Sequence, residues 1–277
     1  MNQRRLIRFA TLLAFAVVTP AAHGAVVPIA WWPGDGNADD RIGNYDGFPR
    51  NGAGFATGMI GQAFSFDGVD DYVWVPNTTA IDGGPEATYM AWVHPDVLPG
   101  AGTYFTLLNG GDSTHPTWIT QQARLLYWNQ SGEGRFYMDC ATMGIDDSYT
   151  SRYTAGTYAP GNWYFVVAVF DNGIIDLYVN AVLDNGTVVS NSPGTVLRTD
   201  AYNQVSIGAG VRFDESLVAS PFAGLMDEAA IYGVALGPAE ISEVYTNGIE
   251  PALGIYSWGF EDAGFGEFGC AGGVCPP

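Results

Sequence analysis

FAGLMDEAAIYGVALGPAEISEVYTNG, residues Phe222 to Gly248, holds a small-residue turn, a strand with two adjacent acids, and a short closing helix. Gly224 to Tyr232 reads as the strand. Asp227 and Glu228 are neighbours in it, so regular alternation points them to opposite faces. The helix is expected over Pro238 to Thr246. Pro238 falls in the first turn, Glu240 and Glu243 come early, and Gly248 lies just beyond as a stop. Ile241, Val244 and Tyr245 form the apolar stripe by which such a helix packs on a sheet.

Upstream, strand-like runs recur at short spacing between turn signals. Gln62 to Phe66, the turn Gly68 to Asp71 and Tyr72 to Val75 read as a hairpin-like pair. Ala87 to His94 alternates cleanly, with His94 at the strand end, and Tyr104 to Leu108, Ala123 to Trp128 and Arg135 to Asp139 are further candidates. Trp163 to Phe170 is the most apolar run, followed by the hairpin turn Asp171-Asn172-Gly173 and the returning strand Ile174 to Val179. Val205 to Gly208 adds another. About a dozen short strands and one helix predict an all-β fold, a two-sheet antiparallel β-sandwich with one short C-terminal helix. Glycine at 37 of 277 residues and 14% aromatic content suit many tight turns around a large core. Asn109 to Asp147 reads as a long irregular insert, a natural place for individual specificity. Trp31, Trp92 and Trp163 are expected in the core.

Residues 1–24 read as a secretory signal: Arg4, Arg5 and Arg8, an apolar Leu12 to Val18, then Ala22-His23-Gly24 before the cut. No later run is apolar enough to span a membrane, so no integral membrane segment is expected after cleavage. The mature chain keeps seven arginines and no lysine against 29 acids, a net charge of −22. Such a surface repels nucleic acid and anionic membranes. The expected location is secreted, periplasmic or cell-surface. From Ile249 the composition turns Gly-rich and acidic, so the expected organisation is signal 1–24, sandwich 25–248 and tail 249–277. In an oxidising compartment Cys270 and Cys275 can close a small disulfide loop, which leaves Cys140 as a buried strand thiol. Isolated His94 and His115 give no zinc pattern.

Four stretches carry a resemblance. They are Trp32 to Asp40 with Gly43-Asn44-Tyr45-Asp46-Gly47; GMIGQAFSFDG at Gly58 to Gly68, extended by Asp70 to Val73; Trp163 to Asn180; and the closing Phe222 to Gly248. In order and spacing they resemble the laminin-G-like jelly rolls of the concanavalin A-like lectin/glucanase superfamily, over roughly residues 30–248. Position 181 departs from the pattern, being alanine where the family usually turns on glycine. The resemblance implies a jelly roll that binds rather than catalyses. It also implies a structural calcium tying the first-strand region to an acid of the last strand, which would be Asp227 with Asp35 or Asp40 opposite it. Calcium suits the oxygen-rich 35–40 loop, although Asp and Asn there also serve as turn formers that bond their own backbone.

For a retaining glycosidase, two carboxylates about 5 Å apart are needed, on a strand at alternate positions. No strand carries that run. Ligand binding on such a fold relies on aromatics that stack on sugar rings, and Trp118, Tyr127, Trp128 and Tyr137 lie in or beside the insert. The expected function is a secreted non-catalytic module recognising an extracellular glycan or glycoconjugate. The alternative is a structural or adhesive envelope protein with protein partners, and a glycan-active hydrolase is the remote one.

Overall fold

The computed structural model describes residues 26–79, 83–112, 121–143, 149–192, 194–199 and 203–249. The expected signal, all but the first residue of the expected tail, His115, Trp118, Cys270 and Cys275 lie outside them. In chain order the strands are β1 Ala30–Trp32, β2 Phe48–Arg50, β3 Gly54–Thr57, β4 Gln62–Asp67, β5 Tyr72–Val75 and β6 Glu86–Pro95. Then come β7 Tyr104–Gly111, β8 Gln121–Gln130, β9 Glu133–Ala141, β10 Tyr149–Tyr153, β11 Tyr164–Asp171 and β12 Ile174–Val179. The last are β13 Val182–Leu183, β14 Val188–Ser190, β15 Val205–Ile207, β16 Gly210–Val211, β17 Val218–Ala219 and β18 Ala223–Tyr232, followed by helix α1 Pro238–Asn247.

Two eight-stranded antiparallel sheets form a sandwich, as the strand pattern predicts. The first runs β13-β12-β11-β6-β18-β4-β3, with β1 also on β18, and the second runs β14-β10-β9-β8-β7-β15-β5-β2. Between them Phe64, Phe66, Tyr89, Leu125, Tyr127, Phe136, Met138, Phe170 and Phe222 make one apolar core. Each such side chain contributes about 1.5–3 kcal/mol through water exclusion.

The first sheet is covered on both faces. Trp31, Met90, Trp92, Phe165, Val167 and Tyr232 pack beneath Ile241 and Val244 of α1. Tyr245 stacks on Trp92 at 5.5 Å between ring centroids, which completes the expected stripe. This double cover explains why β6, β11 and β18 are buried almost without interruption. Glu240 accepts the Gly237 N–H at 2.6 Å and closes the helix start. Trp163 lies partly buried against this second cluster, and Cys140 is a buried thiol in β9, as expected.

Two expectations are corrected. Gln62–Asp67 and Tyr72–Val75 do not pair with each other: β4 lies in the first sheet on β18 and β3, and β5 in the second on β15 and β2. The turn Gly68 to Asp71 therefore carries the chain across the sandwich. The supposed irregular insert contains β8 and β9, which pair without a break from Ala123–Cys140 to Gln130–Glu133. The runs Ala123 to Trp128 and Arg135 to Asp139 are strands as expected, and what the irregular reading of the insert missed is their pairing into one long hairpin.

Candidate functional site

Pairing across the second sheet fixes which side chains share its outer face, because directly opposed residues point the same way. One rung runs Ser151, Asp139, Arg124, Asn109, Ser206, Trp74, Phe48. The next runs Tyr153, Tyr137, Leu126, Thr106, and a third runs Arg135, Trp128, Tyr104. Asn109 and Ser206 are buried and bonded to the Gly111 and Ala209 carbonyls, so loops close that half of the face.

The other half presents a cluster of half-buried rings. Trp128 meets Tyr137 at 5.8 Å and Tyr153 at 5.4 Å, both edge-to-face. Such edge-on contacts hold Trp128 in a fixed orientation. Gln130 Nε2 donates to the Tyr153 hydroxyl at 3.2 Å, and the Arg135 guanidinium lies 5.6 Å from the Tyr153 ring centroid. Arg135 also donates to the Thr154, Ala155 and Gly156 carbonyls, which ties the next loop to this corner.

Beneath the rings, Arg124 and Asp139 form a bidentate pair, and Arg124 Nη1 donates to Tyr104 at 3.1 Å. Burial works against the Arg124 charge, but Asp139 overrides it and raises the arginine further above its ordinary value. The Asp139 carboxylate is thus held by its cation, and Glu133, the other acid beside the rings, pairs with Arg135.

Of the ring residues expected from sequence, Trp128 and Tyr137 come together here. Tyr127 does not: it points the opposite way from Trp128, is fully buried between the sheets, and donates to the Tyr158 carbonyl. Tyr104, Tyr153 and the Arg124–Asp139 pair were missed. Extending the β8 alternation through Arg124, Leu126 and Trp128 is the signal that finds Arg124.

The second site lies at a seam of the first sheet. The early part of β18 pairs with β4 through Met226, and the late part pairs with β1 from Ala229 onward. Between them the register slips, and Glu228 takes a positive φ of 55°. This bulge overrides the strict alternation expected for the two acids. Glu228 Oε2 accepts the Trp31 indole N–H at 2.8 Å. Asp227 is fully buried, its Oδ2 accepts the Ile60 N–H at 2.8 Å, and its Oδ1 has no hydrogen-bond partner.

The Asp35 carboxylate reaches the same β3–β4 turn, accepting Gln62 N–H at 2.8 Å. Any side chain at Gly58 would collide with the Asp227 carboxylate, and any at Gly61 with that of Asp35. Burial first, then the Asp35 charge, push the Asp227 carboxyl up to about 7 against the pull of the Ile60 and Met59 N–H groups.

Asp40 is placed differently. Its Oδ1 accepts the Trp31 and Ile42 N–H groups and its Oδ2 those of Gly43 and Tyr45, at 3.0–3.2 Å. Four converging N–H groups already occupy both oxygens of this carboxylate. Asp40 organises its loop, and of the two acids expected opposite Asp227 only Asp35 reaches the seam.

Among the described residues no helix is long and apolar enough to cross a membrane. Searching curated proteins by sequence returned no significant match. Among solved structures, domain 4 of AbnA, a GH43 extracellular arabinanase from Geobacillus stearothermophilus in complex with arabinotriose, superposes with a TM-score of 0.59. It is 20% identical, and the match covers 80% of this chain and 99% of that one. The botulinum neurotoxin serotype G binding domain follows with a TM-score of 0.56 and 11% identity, over 79% of this chain and half of that one. Trypanosoma rangeli sialidase in complex with the inhibitor DANA gives 0.50 and 18%, over 79% of this chain and 32% of that one. At these identities the likeness is one of fold. A laminin G family model covers residues 67–242, well over half of the chain, and on that match the protein belongs to the concanavalin A-like lectin/glucanases superfamily.

Proposed function

We propose that the protein is a secreted, non-catalytic module that binds an extracellular glycan or glycoconjugate on the outer face of its second sheet. The observation that carries this reading is the oriented, half-buried Trp128 between Tyr137 and Tyr153, bordered by Gln130 and Arg135. Rings supply apolar faces for sugar C–H groups, and the polar rim supplies donors for hydroxyls. The arabinanase domain of the same fold, solved with arabinotriose, supports the ligand class by analogy. Against hydrolysis, the carboxylates beside the rings, Asp139 and Glu133, are held by Arg124 and Arg135. A retaining mechanism requires a free pair about 5 Å apart. The net charge of −19 argues against nucleic acid as partner.

A structural calcium at the seam belongs to the same reading. The buried Asp227, with one oxygen unpartnered, and Asp35 on the same turn are the residues that would hold it. The ion would join the start of the chain to its last strand.

The test is a broad glycan array run with calcium, using the mature protein and Trp128→Ala. Binding that falls at least tenfold in Trp128→Ala supports the site. No binding above background by the unaltered protein removes the glycan reading. One observation favours the alternative of protein partners: Val182, Leu183, Val188 and Val189 are exposed on β13 and β14, the edges of the two sheets. In that case the array is blank and a variant carrying lysine at Val182 and Val189 loses adhesion.

A further inference from the structure

We propose that the turn carrying the chain from β4 to β5 is a second cation site, where the carboxylates of Asp67, Asp70 and Asp71 hold a hard divalent cation of calcium size. One ligand oxygen from each of the three acids lies within 4.8 Å of the others. Oxygens sharing one calcium at 2.3–2.6 Å stand at most about 5 Å apart, so this spacing fits a common ion without rearrangement.

The second observation is Asp71 itself. It is 4% exposed, and its Oδ1 is buried with no hydrogen-bond partner, while its Oδ2 accepts the Asp67 N–H at 3.0 Å. A buried carboxylate oxygen without a donor is costly unless a cation or proton meets it. Its charged neighbours Asp67 and Asp70 are both acidic, and among the described residues no arginine forms an ion pair with Asp71.

Turn formation accounts for only part of this arrangement. Asp67 Oδ1 caps Val69 N–H at 2.8 Å, the ordinary role of an acid in a turn. That role leaves Asp70 and the Asp71 Oδ1 unexplained. The surroundings keep the space open: a β-carbon at Gly52 would lie 2.9 Å from Asp71 Oδ1, and Asn51 Nδ2 holds the Asp70 carbonyl at 2.9 Å. Asp67 and Asp70 are exposed, so water can complete a six- to eight-fold shell. The site is distinct from the seam: Asp35 bonds Gln62 at one end of β4, and Asp67 is the other end. An ion here would clamp the crossing between the two sheets.

The test is calorimetric titration of calcium chloride into the chelator-stripped mature protein, alongside Asp70→Asn and Asp35→Asn. The Asp70 side chain is exposed, so Asp70→Asn keeps its fold, checked by an unchanged melting curve in chelator; Asp67→Asn, also exposed, provides a second variant. The expected result is two calcium equivalents: one that Asp70→Asn and Asp67→Asn weaken at least tenfold and Asp35→Asn leaves alone, and the seam equivalent, which only Asp35→Asn weakens. A single calcium equivalent, lost only in Asp35→Asn, supports the seam and overturns this site. Calcium binding unchanged in both Asp70→Asn and Asp67→Asn, or no calcium binding by the unaltered protein, also overturns it.

Discussion

Replacing Asp227 by asparagine should stabilise the calcium-free protein above neutral pH, although the residue is central to the seam. The carboxyl is fully buried, and burial is the main cause that lifts it from 3.8 to about 7. The folded protein therefore holds this proton more tightly than the unfolded chain does. Its contribution to stability is fully present below pH 4, declines as pH rises towards 7, and levels off above that. A pKa rise of about 3, at 1.36 kcal/mol each, makes the loss about 4 kcal/mol between pH 4 and pH 8. Asparagine has the same shape, still accepts the Ile60 N–H, and carries no charge to bury. Urea unfolding of both proteins in chelating buffer, at pH 4, 5, 6, 7 and 8, measures the difference. The unaltered protein should lose about 4 kcal/mol relative to Asp227→Asn across this range. Calcium should then narrow the gap at pH 8 without closing it, since an ion at a hundred times its dissociation constant adds about 2.7 kcal/mol to the protein that binds it, against a deficit of about 4 kcal/mol. Parallel stability curves in chelator, or an Asp227→Asn protein weaker than the unaltered one at pH 8, would refute the reasoning.

Two further outcomes follow from local geometry. Ala181→Gly should raise stability by about 1 kcal/mol in urea unfolding, because Asn180 and Ala181 both hold left-handed φ, 52° and 62°, where alanine is strained and glycine is not. The lost methyl contact with the second cluster trims that gain only slightly. Asp139→Ala should cost about 3–5 kcal/mol by leaving the Arg124 charge buried and uncompensated. The double change Arg124→Met with Asp139→Leu should cost much less, a non-additivity readable in the same unfolding series.

The strands could be read from sequence where one face is apolar and the turn residues are explicit. Asp171-Asn172-Gly173 is such a turn, and it joins β11 to β12 in the expected hairpin. The turn at Gly68 to Asp71 is equally explicit, yet it misled. A turn signal says that the chain reverses, not that the two strands pair. Pairing of β4 with β18 depends on residues more than 150 positions away, which no local window contains. The β8 and β9 runs are legible as strands, but their pairing into one long hairpin is not. Arg124 and Asp139 break the apolar period individually, and only their cross-strand opposition turns two unfavourable residues into one satisfied pair.

The same distinction between local and non-local information governs the sites. That Tyr127 and Trp128 face opposite ways follows from strand period alone, but which of them meets the second sheet's partner depends on the whole sandwich. Asp35 and Asp40 look equivalent in a loop of acids. They separate because four N–H groups happen to converge on Asp40, whereas Asp35 turns towards the β3–β4 turn that Asp227 also holds. Most telling is the closing strand. Its two acids were read as strictly alternating, and a single register slip places both in the seam where β1 replaces β4 as the neighbour of β18. A bulge there has a physical cause: the strand changes partners at that point, and the backbone freed by the change lets Asp227 reach Ile60 while Glu228 reaches Trp31. The seam, with its unpartnered carboxylate oxygen, is therefore a consequence of how the first strand is inserted into the sheet. The aromatic face of the other sheet is separate from it, so a cation at the seam would act on ligand binding through the stability of the sandwich rather than by touching the ligand.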